Sequence, residues 1–166
     1  DDANGVAVVS LEASFVIAKE NASPSPLMWG GYGKIVPDIA TTDSSSVAAL
    51  DFDGAGNTPK IINYLAGTND GYSDGAPAAE ACASYTFPSG AKGYLPASGE
   101  WKAAYDNEDA VVSAMSLIGG TGINSSFYWS STQYNSGSSW YQRWSNGHLG
   151  NHYKRNINFV RAFSAL

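Results

Sequence analysis

The chain has 166 residues, 43% hydrophobic, 13% aromatic and only 14% charged, with a formal net charge of −6. That length suits one compact domain that buries a core without metals or disulfides as staples. The aromatic content, without blocks of like charge, excludes a disordered tail, and no run approaches the roughly 18 consecutive apolar residues of a membrane span. The lone Cys82 excludes an intramolecular disulfide and a cysteine-ligated zinc cluster. A start at Asp1-Asp2, without Met and with no visible signal peptide, reads as a processed or trimmed chain.

The charge is unevenly spread. Residues 1–109 hold all fifteen acids against five lysines, a balance of −10. Residues 110–166 contain no Asp or Glu, only Arg143, Lys154, Arg155 and Arg161, together with three of the five tryptophans, Trp129, Trp140 and Trp144. One domain is therefore expected to build two different surfaces.

In chain order, residues 6–9 and 14–18 are rich in β-branched residues and read as two strands. Residues 23–43, punctuated by Pro24, Pro26, Gly30, Gly31 and Gly33, read as loop. Asn57, as cap, and Pro59, at the first helical position, predict a short amphipathic helix carrying Ile61, Ile62 and Leu65. A second helix follows Pro77 to about Tyr85. Ser98 is expected to cap a third, with Glu100 and Trp101 in its first turn. Asn107 restarts it with Val111, Val112, Met115 and Ile118 at helical spacing, and Gly119-Gly120 stops it. After Gly122, FYWSST, SSWYQRW, HLGNHY and NFVRAFSAL read as short strands separated by Asn/Gly/Ser turns, with Asn146-Gly147 favouring a two-residue hairpin. Strands, then helices, then strands predict an α+β fold in which residues 6–9 pair with 159–164 in one antiparallel sheet.

Chemical motifs are sparse. DFDGAGN (51–57) opens like a calcium loop, with Asp51, Asp53 and Asn57 at alternating positions. Its fifth and twelfth positions, Ala55 and Ile62, lack the oxygens such a loop requires. It therefore reads as a turn whose carboxylates cap the next helix, as does NDGYSDG (69–75). His148 and His152 have the i, i+4 spacing of a helical zinc pair, but Leu149-Gly150-Asn151 between them is strand or turn, and no carboxylate lies nearby in sequence. Cys82 reads as a small buried hydrophobe, and no G-x-S-x-G elbow occurs. No catalytic residue, metal or cofactor is expected. Four cations over residues 110–166 make too weak a footprint for nucleic acid. Tyr, Trp, Arg, Asn, Ser and Gly are instead the residues of loop paratopes, rigid amphipathic rings among small adaptable polar groups.

GYLPASGEW (93–101), IGGTGI (118–123), YWSST (128–132), Trp140 and Trp144, SNG (145–147) and VRAF (160–163) stand in an order that resembles the C-type-lectin-like fold. The branch in question is shared by formylglycine-generating enzymes and the variable proteins of diversity-generating retroelements, and the elements look closest to gut Bacteroidales members of the second group. The resemblance covers nearly the whole chain. It implies one domain over residues 1–166, with two to four helices and a sheet joining the N- and C-terminal strands. Residues 1–122 would be the scaffold and 123–166 the short strands and loops that bind a ligand. It further implies that Trp101, Trp129, Ser130 and Ser131 are structural, that Val160 lies on a central strand, and that Arg161 ties that strand to a neighbouring loop. The catalytic cysteines of formylglycine-generating enzymes have no counterpart, since Cys82 precedes LPASGEW. The EPN, QPD and WND motifs of calcium-dependent sugar binding are also absent.

The function so implied is a non-enzymatic domain binding a cell-surface protein or glycan, displayed outside the cell, on a bacterial surface or on a phage tail, without membrane insertion. The other readings are an enzyme of the formylglycine-generating or a carbohydrate-active type, and a structural module of a surface assembly. In the family, adenines of Asn codons are replaced, and the resulting codons cannot encode Trp, Gln, Lys, Met or Glu. Trp140, Gln142, Trp144 and Lys154 are then fixed. Tyr141, Arg143, His148, Asn151, His152, Tyr153, Arg155, Asn156, Ile157, Asn158 and Phe159 can be varied and are the expected ligand-binding residues. Tyr141, Arg143, His148, His152, Tyr153 and Arg155 are expected to be exposed and contiguous on one face.

Overall fold

The computed structural model describes residues 3–123 and 126–166; the Asp1-Asp2 start lies outside the described residues. Three strands come first, β1 (Gly5–Val9), β2 (Ser14–Ala18) and β3 (Leu27–Met28). The helices follow: α1 (Ser45–Ala48), α2 (Gly54–Leu65), α3 (Pro77–Ser84), α4 (Ser98–Asp106) and α5 (Glu108–Leu117). The chain ends on β4 (Phe127–Gln133), β5 (Ser138–Arg143), β6 (Leu149–Tyr153), β7 (Ile157–Asn158) and β8 (Phe163–Ala165). The strands form antiparallel sheets in the orders β1–β2–β8, β3–β7 and β4–β5–β6. The fold is α+β. The described residues contain five helices, one more than the upper end expected, the extra one being the single turn α1. None of the described helices is long and apolar enough to cross a membrane.

The N- and C-terminal strands share a sheet, but β1 does not pair with β8 as expected. Residues 15–18 of β2 are buried on both faces, which suits a central strand, and β8 pairs with them. β1 alternates buried Val6 and Val8 with exposed Ala7 and Val9, the pattern of an edge. Val160 is buried but lies on no strand. The segment between β7 and β8 crosses from one sheet to the next, and the Val160 carbonyl accepts from Ala22 N–H (2.9 Å).

Two helix starts also differ from expectation. α2 begins before Asn57 because the Asp53 carboxylate accepts the Gly56 N–H (3.1 Å), which caps the helix and leaves Pro59 inside it. Gly54 opens that helix because its backbone presses on Glu100, Ala97 and Leu95, and any side chain would collide there. In α4 the cap is Ala97, whose N–H donates to Glu100 Oε2 (2.7 Å). Ser98 instead turns its hydroxyl inward to Ser130 Oγ (2.9 Å).

Two apolar clusters fill the interior. One gathers Trp29, Ile61, Leu65, Leu95, Trp129 and Val160. The other gathers Phe15, Ile17, Trp101, Tyr128, Trp144 and Phe163. Trp101 donates Nε1–H to the Trp129 carbonyl (3.1 Å) and so ties one cluster to the other.

Between the clusters runs a polar seam. β4 breaks register with β5 between Trp129 and Gln133, and the buried hydroxyls there find other partners. Ser131 Oγ accepts from Asn57 Nδ2 (3.2 Å), and Thr132 Oγ1 donates to Asp51 Oδ2 (2.7 Å). The Asp51–Asn57 turn thus docks α2 onto β4, a structural use of its carboxylates. Arg161, fully buried, donates to Asn21 Oδ1 (3.0 Å), to the Thr121 carbonyl (3.0 Å) and hydroxyl (3.2 Å), and to the Ala18 (3.3 Å) and Gly122 (3.4 Å) carbonyls. It fastens the chain between β7 and β8 to the loop after α5.

Candidate functional site

β5 lies between β4 and β6 and fixes what the C-terminal third presents. Trp140 and Gln142 face inward, and Trp140 Nε1–H donates to the Thr42 carbonyl (2.9 Å). The β5–β6 connection has five residues, 144–148, in place of the expected two-residue turn. Arg143 N–H donates to the His148 carbonyl (2.8 Å), Gly147 N–H donates to the Arg143 carbonyl (3.0 Å), and Gly147 adopts φ +70°. This loop lifts Arg143 and His148 into solvent.

Tyr141 departs from expectation: it is only 8% exposed. Its register partner on β6 is Gly150, which leaves a trough that the Tyr141 ring fills. His152 (4.3 Å between ring centroids) and Phe127 (4.8 Å) close over it. Asn158 is buried as well, its Oδ1 bonded to His152 Nδ1 (3.0 Å) and its Nδ2 without a partner. Of the other expected ligand residues, Arg143, His148, Asn151, Tyr153, Asn156 and Ile157 are exposed, and His152, Arg155 and Phe159 are half-buried.

Nor are the six principal residues contiguous on one face. Along β6, His152 and Tyr153 project to opposite sides of the strand, and two groups result. The first is Tyr141, His152 and His148 with the Arg143 guanidinium 5.3 Å above the Phe127 ring. In the second, Arg155 stands 4.7 Å from the Tyr32 ring, 5.1 Å from Tyr72 and 5.3 Å from Tyr153. Its Nη1–H donates to the Tyr72 hydroxyl (2.7 Å).

Tyr32 and Tyr72 come from the acidic part of the chain and were not among the expected site residues. Asp70 places both, since its carboxylate accepts from Tyr32 N–H (2.7 Å) and from Tyr72 and Ser73 N–H (2.8 Å each). Partial burial pushes this carboxyl up, but the backbone donors Ser73, Tyr32 and Tyr72 outweigh it and hold it below its ordinary value. NDGYSDG is therefore a turn that carries an aromatic ring into the site. The one signal in the sequence was a Tyr in each of two glycine-rich turns.

Between Tyr153 and Arg155 in the chain is Lys154, fully buried. Its ammonium donates to the Lys34 carbonyl and to Gln133 Oε1 (2.7 Å each) and sits 4.4 Å from the centre of the Trp29 ring. Its own carbonyl accepts from Trp29 N–H (3.0 Å), so one residue anchors the β6–β7 turn to the loop that carries Tyr32. Burial pushes the ammonium down to about 7, from 10.5. Above pH 7 the unfolded chain binds this proton more tightly than the folded one, so stability rises with pH. Between pH 7 and the 9.0 at which an ordinary thiol such as that of unfolded Cys82 begins to intervene, the melting midpoint is expected to climb. Lys154→Met is expected to flatten that climb, and an equal climb in the variant would place the effect elsewhere.

Among the described residues no group of three His, Cys, Asp or Glu could hold a metal ion. Cys82 is fully buried, and burial pushes its thiol far above its ordinary value. Comparisons with protein-family models, curated proteins and solved structures find no match for this chain.

Proposed function

We propose that this chain is a non-enzymatic binding domain of C-type-lectin-like fold, related to the variable proteins of diversity-generating retroelements. Its ligand is a protein or glycan of a cell surface, and the domain is displayed outside the cell, on a bacterial surface or a phage tail. One observation carries the reading. The four positions that the codon rule holds fixed are all in the interior: Trp140 and Trp144 are 3% exposed, Gln142 1% and Lys154 0%. The variable positions around them are mostly at the surface, on β5, β6, β7 and the turns between them. Burial along β5 explains Trp140 and Gln142, but lysine is among the residues least often fully buried, and Lys154 is fully buried in the turn after β6. The inert thiol of Cys82 further favours binding over chemistry that uses a cysteine.

A screen of the domain against arrays of cell-surface proteins and glycans tests this reading. Arg143→Ala/His148→Ala/Tyr153→Ala is expected to abolish the hits, while Val112→Ser/Leu117→Ser on exposed positions of α5 leaves them intact. Hits lost only in the α5 variant would contradict the assignment.

A further inference from the structure

Arg155 is a cation held in place without a counterion. Among the described residues its polar contact is the Tyr72 hydroxyl, and neither of the two ion pairs found there involves it. A guanidinium carries five N–H donors in a planar fork, so four remain for a ligand. Three tyrosine rings and the Asp70 clamp beneath two of them fix its geometry before any ligand arrives, which lowers the entropy cost of binding.

Beside it, Tyr153 and Asn156 also line a shallow groove of about 360 Å³ with Tyr134, Asn135, Ser138, Asn151 and His152. That volume lies toward the lower end of small-ligand sites, roughly 300–1,000 Å³. Carboxamides both donate and accept hydrogen bonds, which suits vicinal hydroxyls, and tyrosine faces suit the C–H surface of a sugar ring. One fork-shaped cation among the rings matches a single carboxylate, not a run of acids.

We propose that this corner of the binding face is the subsite for a carboxylate-bearing saccharide, of the uronic or sialic acid type. The ring lies in the Tyr134–Tyr153 groove and the carboxylate takes the free edge of Arg155. This rests on the binding-domain reading above and adds the ligand's chemistry to it.

The test is calorimetric titration of the whole chain with trigalacturonic acid, a glucuronate-containing disaccharide and sialyllactose, each beside a neutral counterpart, and with a glutamate-rich peptide. At least one acidic sugar is expected to bind saturably, roughly tenfold tighter than its neutral counterpart, the size of one charge-assisted pair. Arg155→Gln should remove that tenfold advantage, so that the acidic sugar binds no tighter than its neutral counterpart. Arg155→Lys should recover little, because an ammonium lacks the fork. Acidic sugars that fail to bind, neutral ones that bind equally well, or an Arg155→Gln variant with full acidic preference would each overturn the subsite. Binding of the peptide without the sugars would also overturn it, in favour of an acidic protein partner. If the array hits survive Arg155→Gln but vanish in the Arg143/His148/Tyr153 variant, the subsite fails while the binding-domain reading stands.

Discussion

Trp129→Ala is expected to destabilise the fold by about 3–5 kcal/mol, the range for deleting a buried aromatic ring. The ring is fully buried among residues of the first apolar cluster, and its Nε1–H donates to the Leu27 carbonyl (2.8 Å). Its backbone carbonyl receives Trp101 Nε1–H, and its N–H donates to the Phe159 carbonyl (3.0 Å), so movement here reaches both clusters. Truncation therefore opens a cavity and strands an acceptor together. Trp129→Phe separates the two, since it refills most of the volume and loses only the donor, at about 1–3 kcal/mol. In a domain of this size 1 kcal/mol moves the melting midpoint by roughly 2–4 °C. The Ala variant should thus melt on the order of 10 °C lower, and a midpoint equal to the parent's would place Trp129 outside the core.

Glu100→Ala should have the next largest effect, roughly 3 kcal/mol or more, because it leaves buried donors without an acceptor. The carboxylate takes Tyr94 Oη–H and Ala97 N–H, each at 2.7 Å, and a further bond from Gly54 N–H. Burial pushes its carboxyl up to about 7 from 4.5, against the pull of these donors, and nearby Asp51 adds to the rise. Between pH 4.5 and 7 the folded chain then binds this proton more tightly than the unfolded one. Stability contributed by the protonated acid is full below 4.5 and is lost as pH rises through 7, by about 1 kcal/mol per unit. Glu100→Gln keeps a neutral acceptor for most of these donors. It should melt close to the parent at acid pH and lose the downward slope toward neutrality. A parent midpoint that rises between pH 5 and 7 while the Gln variant's stays flat would contradict the assignment.

Much of the scaffold was readable because local signals and tertiary environment agree. The alternation in residues 6–9, Pro77 at the first position of α3, and Asn107 between α4 and α5 all act within a turn or two of chain. What the sequence hid was long-range. Nothing local says that β2 will lie between β1 and β8, or that Ser98 will bond Ser130 across the core and leave capping to Ala97 and Glu100. The site shows the same division. Trp140, Gln142 and Lys154, set apart from their neighbours by residue type alone, all lie in the interior. Tyr141 was misread because its burial depends on Gly150 across the strand and on His152 above it. Tyr32 and Tyr72 escaped notice because Asp70, far from the C-terminal third in sequence, brings them to Arg155.

The proposed division between a fixed scaffold and a replaceable binding face is tested most directly by altering the whole face at once. In one chain, Arg143, His148, Asn151, Tyr153, Asn156 and Ile157, all exposed, are replaced by Ser, and thermal melting and array binding are recorded on the same sample. The expected result is a cooperative melt within about 10 °C of the parent, since six surface changes each cost within about 0.5 kcal/mol, together with loss of every array hit. A chain that no longer melts cooperatively, or one that keeps the parent's hits, would contradict it.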